Sequence, residues 1–155
     1  MTYEIARAKA IQQYDAAFHL LKVTYPLIQD PKLLMGIVTN ISNSYQAAVE
    51  AILAYERQLQ LVPAYGTRFI EKWNTFRAKS ATRNKVDNVH LDNVERLQEM
   101  LQKHKESPVD FSKKGRFVLT GQDYAIQTVG EKELQEFLNH NKAFLAKMDA
   151  IVRHR

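Results

Sequence analysis

Two residues near the middle of the chain have side chains suited to chemistry on a phosphate ester: Arg83 and His90. A histidine titrates near neutral pH, so it can take a proton from a ribose 2′-hydroxyl or give one to a leaving oxygen. An arginine fork can hold a phosphate and stabilise the charge of its transition state. These groups are the minimum set for cleaving RNA without a metal ion.

The spacing of the pair is compatible with a site and also with a structural role. Six residues separate Arg83 from His90. If a helix begins by Thr82, both side chains lie on one face, about 10 Å apart along the axis. That separation is long for one phosphate, and a second copy of the helix in a dimer would shorten it. The alternative is a structural histidine, because His90 continues the apolar stripe of Val94 and Leu97.

The excess positive charge lies in the segment that leads into Arg83. The chain has a formal net charge of +5, and residues 64–86 account for all of it. The cations there, besides Arg83, are Arg68, Lys72, Arg77, Lys79 and Lys85. Cations facing phosphates displace condensed counterions, so such a segment attracts polyanions. We expect these five residues to bind nucleic acid, the alternative being that they are solvated surface charges.

Several other chemistries lack their residues in this sequence. There is no cysteine, which excludes disulfides, thiolate metal sites and a cysteine nucleophile. No glycine-rich phosphate loop, HExxH or GxSxG motif occurs. Glu133 and Glu136 are better explained as acids near the start of a helix than as metal ligands. We therefore expect no metal and no cofactor.

The apolar periodicity predicts an all-α fold, an up-down helical bundle of about four main helices with one short helix and a small β-hairpin near 116–129. The main helices are expected at about 3–25, 34–59, 86–106 and from about 131, and the short helix from about 67. Pro26 is expected to end the first helix. The hairpin prediction depends on two runs rich in β-branched and aromatic residues around TGQD. Residues 1–155 are expected to form one domain.

Two surfaces in these helices have alternative explanations. Small residues in the second helix, namely Ser44, Ala47, Ala48, Ala51 and Ala54, favour close helix packing inside the bundle over a dimer seam. Phe69, Trp73 and Phe76 form a stripe between basic residues. Aromatic side chains among cations can stack on unpaired bases, but this spacing favours a half-buried helix.

The layout and the RNKVDNVH stretch resemble the HEPN domains of prokaryotic toxins, nucleotidyltransferase partners and RNA-processing enzymes. These domains are helical bundles with a long first helix, a long second helix rich in Ala and Tyr, and a later R-x(4–6)-H motif. Here YPLIQDPKLL joins two such helices, and SNSYQAAVEAILAYERQ resembles the second. RNKVDNVH fits the motif with six intervening residues.

The resemblance implies a metal-independent endoribonuclease or a non-catalytic relative, usually a homodimer whose two motifs converge at the subunit interface. By position, Arg83 and His90 correspond to the catalytic pair and Asn84 to the polar residue beside it. The expected function is RNA binding. In the catalytic form of this expectation the protein also cleaves the RNA, as toxin-type components of toxin–antitoxin systems do. The alternative is a non-catalytic helical adaptor that binds a protein partner such as a nucleotidyltransferase.

Neither a membrane span nor a secretion signal is indicated by the sequence. No apolar window approaches the roughly 18 residues of a spanning helix, and the first residues lack a basic start followed by an apolar run. We expect a cytoplasmic protein that makes no contact with a membrane.

Overall fold

The protein is mostly helical, in agreement with the predicted all-α class and helical bundle. The structure, a computed structural model, describes residues 2–106, 111–113, 116–120 and 126–152, with side chains described in 2–105 and 129–152. In chain order its helices are α1 (Tyr3–His19), a first π-helical turn (Leu20–Thr24), α2 (Tyr25–Ile28), α3 (Leu33–Gln58), α4 (Phe69–Thr75), a second π-helical turn (Phe76–Ser80), α5 (Ala81–Arg83), α6 (Asn88–Glu106) and α7 (Glu131–Val152).

Helix α3 is the centre of the bundle. It packs against α1, α6 and α7, and its most extensive contact is with α1. Small side chains make this close approach possible, since Ala10 of α1 and Ala47, Ala48 and Ala51 of α3 are buried. The small residues of α3 therefore pack inside the chain, as the bundle interpretation predicted.

The first helix does not end at Tyr25, so that predicted boundary was wrong. The chain stays helical through Pro26 to Ile28, and Gln29 ends it in a left-handed conformation with a φ of 55°. Proline has no amide hydrogen to donate to the carbonyl four residues earlier. The first π-helical turn, in which the Tyr25 amide bonds to the Leu20 carbonyl, precedes it and lets the helix continue.

The aromatic stripe of α4 is part of the core. Trp73 stacks on Phe69 and Phe76 with ring centroids 6.0 and 5.7 Å away. Trp73 and Phe76 are buried, and the Phe76 ring meets Phe144 of α7 edge to face at 6.2 Å. Burial leaves neither ring open to a base, so the packing interpretation is correct for these two residues.

The backbone between α6 and α7 includes three short strands, β1 (Phe111–Lys113), β2 (Arg116–Thr120) and β3 (Ile126–Val129). They form an antiparallel sheet in the order β1-β2-β3, with Phe117 opposite Val129. The turn of the predicted hairpin, at residues 121–125, lies outside the described residues. No helix in the described part of the chain is long and apolar enough to cross a membrane.

Candidate functional site

Arg83 and His90 lie on two different helices. Arg83 is the last residue of α5, whereas α6 begins at Asn88. Between them Lys85 adopts a left-handed conformation with a φ of 53°. The Val86 amide donates to the Ala81 carbonyl and the Lys85 amide to the Thr82 carbonyl, the two bonds of a Schellman C-cap. The condition for a shared helical face, one helix that begins by Thr82 and continues through His90, is therefore not met.

The side chains of Arg83 and Asn84 converge on a buried carboxylate. Glu56 of α3 is only 2% exposed. Its Oε2 accepts from Asn84 Nδ2 at 2.9 Å and lies 3.2 Å from Arg83 Nη1, while its Oε1 accepts from Ser80 Oγ at 2.5 Å. Arg83 Nη2 also donates to the Leu61 carbonyl at 2.5 Å. We call Glu56, Ser80, Arg83 and Asn84 the Glu56 cluster.

The Glu56 cluster depends on the second π-helical turn. The turn buries both Phe76 and Ser80, which places an aromatic ring in the core and a hydroxyl group on Glu56. A buried charge is costly unless it is paired and hydrogen-bonded. The cluster satisfies that requirement and ties the end of α5 to α3. Arg83 and Asn84 thus have a structural partner within the chain.

His90 belongs to another group of side chains. It is 8% exposed, and its ring lies 5.1 Å from Phe144. His90 Nδ1 lies 3.3 Å from the Tyr45 hydroxyl, which accepts from Asn93 Nδ2 at 3.4 Å. Asn93 Nδ2 also lies 3.2 Å from His140 Nδ1. We call this series, from His90 through Tyr45 and Asn93 to His140, the histidine chain.

The direction of each bond in the histidine chain follows from Asn93. An amide nitrogen can only donate, so the Tyr45 oxygen and His140 Nδ1 both accept from it. The Tyr45 hydrogen is then free to be donated to His90 Nδ1. His140 therefore accepts at Nδ1, which leaves its ring hydrogen on Nε2, and His90 has the same arrangement where Tyr45 donates to it.

Burial affects the acidity of two members of the histidine chain, His90 and Tyr45. Burial is the main cause that lowers the pKa of His90; nearby Asp87 acts in the opposite direction and His140 in the same direction. Burial raises the pKa of Tyr45, an effect that the hydrogen bond from Asn93 opposes. Tyr45 is thus held as a phenol and His90 as a neutral imidazole, in agreement with the bond directions.

His140 is the member of the chain that is only half-buried. It lines a cleft of about 90 Å³ between α6 and α7. The cleft is bounded by Val89, Asn93 and Arg96 of α6 and by Glu133, Glu136, Phe137 and His140 of α7. Arg96 is exposed, and its guanidinium carbon lies 5.0 Å from the centre of the Phe137 ring. Within the described residues, no three His, Asp or Glu side chains are placed to hold a metal ion.

Three of the five predicted nucleic-acid-binding residues are paired with carboxylates. Arg68 pairs with Glu71 at 2.7 Å, Arg77 with Glu95 at 2.9 Å, and Lys72 with Glu50. Lys79 and Lys85 are exposed, and in the described part of the chain neither has a carboxylate partner. The positive charge of the segment is therefore partly neutralised by Glu50 and Glu95, which lie outside it.

The important partners of the motif were not predicted from the sequence. Glu56 lies four residues after Ile52 and eleven after Tyr45, so it continues the apolar stripe of α3. A carboxylate at a core position of a helix was the available signal of a buried ion pair. His140 is similarly flanked by Phe137 and Phe144. Nothing in the sequence pairs His140 with His90, because they are on different helices.

Comparisons of this chain with protein-family models, curated proteins and solved structures find no match.

Proposed function

We propose that this protein is a HEPN-like RNA-binding protein. The observation that carries the proposal is that Lys79 and Lys85 are exposed and unpaired within the described residues, on either side of Arg83. Cations without a carboxylate partner can neutralise phosphates without first breaking an ion pair. Arg68, Lys72 and Arg77 are paired, so they contribute where RNA displaces their carboxylates.

Binding is tested by fluorescence anisotropy with a labelled single-stranded RNA at several salt concentrations. The Lys79→Ala, Lys85→Ala double variant should bind more weakly. Its salt slope should be shallower by about 0.7 for each phosphate that the variant no longer neutralises. The matched control is a Lys22→Ala, Lys32→Ala double variant, because both of these lysines are exposed and lie outside the basic segment. Equal weakening in the two double variants would contradict the proposal.

Cleavage without a metal ion is the catalytic form of the proposal, and it requires two copies of the chain. Within one chain Arg83 belongs to the Glu56 cluster and His90 to the histidine chain, and these two groups have no residue in common. The resemblance to HEPN domains implies a homodimer in which the motifs converge. Arg83, whose side chain is 35% exposed, would then act across the interface with His90 of the second copy. Because His90 is only 8% exposed, the catalytic form also requires that dimer formation open its ring to the RNA.

A mixing experiment tests this arrangement. Arg83→Ala and His90→Ala chains are each incubated with RNA in EDTA, alone and then mixed after subunit exchange. A mixed dimer with composite sites keeps one intact Arg83–His90 pair, so cleavage should reappear only in the mixture. His19→Ala is the control, because His19 is exposed on α1. If wild type leaves RNA intact in EDTA, or sediments only as a monomer, the catalytic form is refuted.

A non-catalytic adaptor is the second candidate function. It is favoured by two adjacent apolar residues at the end of α2, since Leu27 is 81% and Ile28 61% exposed. Exposed apolar surface is a feature of protein interaction sites. A Leu27→Ser, Ile28→Ser double variant should lose co-purifying protein without losing RNA affinity. Unchanged co-purification would remove this candidate.

A further inference from the structure

The cleft between α6 and α7 combines hydrogen-bond donors and acceptors in a small space. Arg96 and His140 contribute donors, Glu133 and Glu136 contribute carboxylates, and Val89 and Phe137 contribute apolar surface. Small-molecule sites have this composition, with a few directed polar groups on an apolar lining. None of these side chains was predicted to bind a ligand, and the proposed function does not use them.

Arg96 lies over an aromatic ring at the cleft. Its guanidinium carbon lies 5.0 Å from the centre of the Phe137 ring, and Phe137 is itself only 4% exposed. The attraction between the cation and the ring face holds the Arg96 side chain beside the cleft. Because Arg96 is exposed, its N–H groups can donate to a ligand in the cleft.

His140 offers its ligand a donor and not an acceptor. Asn93 donates to its Nδ1 nitrogen, so the ring hydrogen is on Nε2. Asn93 is 2% exposed and is held by a second bond to the Tyr45 hydroxyl. The tautomer of His140 is therefore set by a buried side chain. A ligand in the cleft meets an N–H group at this position.

The charges of the cleft disfavour a phosphate. Glu133 and Glu136 are two acids facing one cation, Arg96, and His140 accepts from Asn93 at Nδ1. A phosphate would approach two carboxylates, a repulsion that one arginine only partly offsets. A neutral ligand that presents its own donors to a carboxylate suits the site better. Glu136 is exposed, so its carboxylate is accessible to such a ligand.

We propose that this cleft binds a guanine base of single-stranded RNA. Guanine has adjacent N1–H and N2–H donors, which match the two oxygens of the Glu136 carboxylate, and O6 and N7 acceptors, which match Arg96 and His140 Nε2–H. Adenine, cytosine and uracil each lack a pair of adjacent donors on the Watson–Crick edge. The inference rests on the proposed RNA binding and specifies the base that is recognised.

The test compares labelled oligouridine probes that contain one central guanosine, inosine or adenosine. Inosine keeps N1–H and O6 but lacks the 2-amino group, so it removes one of the two donors that face Glu136. Wild type should bind the guanosine probe about tenfold or more tightly than the adenosine probe, with inosine between them. Glu136→Gln should bind guanosine and adenosine probes equally. Glu131→Gln, an exposed acid at the start of the same helix, should keep the preference.

Arg96 is tested in the same way. Arg96→Gln should weaken binding of the guanosine probe, whereas Arg57→Gln, an exposed arginine on α3, should leave it unchanged. Equal binding of all three probes by wild type would overturn the guanine site and leave the proposed RNA binding standing. If no probe binds, the proposed RNA binding fails, and the guanine site is then tested by titrating the protein with free guanosine. Amide NMR shifts on α6 and α7 with guanosine but not adenosine would support it, and their absence would overturn it.

Discussion

Replacing Glu56 by glutamine is expected to destabilise the fold more than any ordinary surface change. The carboxylate is 2% exposed and accepts from Ser80 at 2.5 Å and Asn84 at 2.9 Å, with Arg83 at 3.2 Å. In Glu56→Gln the new amide NH₂ faces at least one of these donors. Hydrogen bonds to a charged group contribute about 1.5–3 kcal/mol each, and breaking a buried pair costs about 3–5 kcal/mol.

We therefore expect the free energy of unfolding to fall by about 3 kcal/mol. In a chain of this size that loss corresponds to a fall in Tm of about 6–12 °C. Urea denaturation followed by circular dichroism measures it, and the urea slope should stay unchanged because the surface exposed on unfolding is the same. Arg83→Ala should cost less, about 1 kcal/mol, since the Arg83 side chain is 35% exposed.

Glu99→Gln is the matched control. Glu99 is 62% exposed and pairs with Lys103 one helical turn away, so the same change should cost less than about 0.5 kcal/mol. A loss below about 1 kcal/mol in Glu56→Gln, or equal losses in the two variants, would refute the view that the Glu56 cluster fixes α5 to α3.

Three further predictions concern the core, the histidine chain and a helix end. Phe76→Ala should lower the free energy of unfolding by about 3–5 kcal/mol in urea titrations, because the ring is fully buried between Trp73 and Phe144; a loss typical of a surface residue would contradict this packing. Burial lowers the pKa of His90 in the folded chain, so on acidification the unfolded chain takes up the proton first. The stability that neutral His90 contributes is therefore complete above about pH 6.5, the ordinary pKa of histidine, and is lost as the pH falls below that value. His90→Gln should flatten the decline of stability on acidification, and an unchanged pH profile would exclude this role. Gln60→Gly should raise stability by about 0.5–1 kcal/mol because Gln60 has a φ of 59°. Gln58→Gly, at the last helical residue of α3, should lower it.

The sequence predicted the helices well because each has a regular apolar stripe. Helix α3 was expected at about 34–59 and spans Leu33–Gln58. Its apolar residues recur at three and four positions over seven turns, so a shift of one or two residues at either end changes little. Pro26 led to a wrong prediction for the end of the first helix. A proline predicts a helix end only where no widened turn accommodates it, and the π-helical turn before Pro26 is a feature that periodicity does not reveal.

The candidate site was less predictable because its contacts join distant parts of the chain. The side-chain types of Arg83, Asn84 and His90 were evident from the sequence, but their partners come from α3 and α7. Their expected common helical face depended on an unbroken helix. The Schellman cap at Lys85 breaks it, and neither Lys85 nor Val86 is a residue that signals a helix end.

By itself, the sequence determined the helical class, the absence of thiol chemistry and the positive charge of the segment before Arg83, because these follow from composition and local periodicity. Only the tertiary structure decided where that charge and that chemistry are available. Packing α5 on α3 commits Arg83 and Asn84 to Glu56, and packing α6 against α3 and α7 buries His90 and leaves His140 at the cleft. The physical reason is that a polar side chain leaving water must find a partner, and the nearest partner in space is rarely the nearest in sequence.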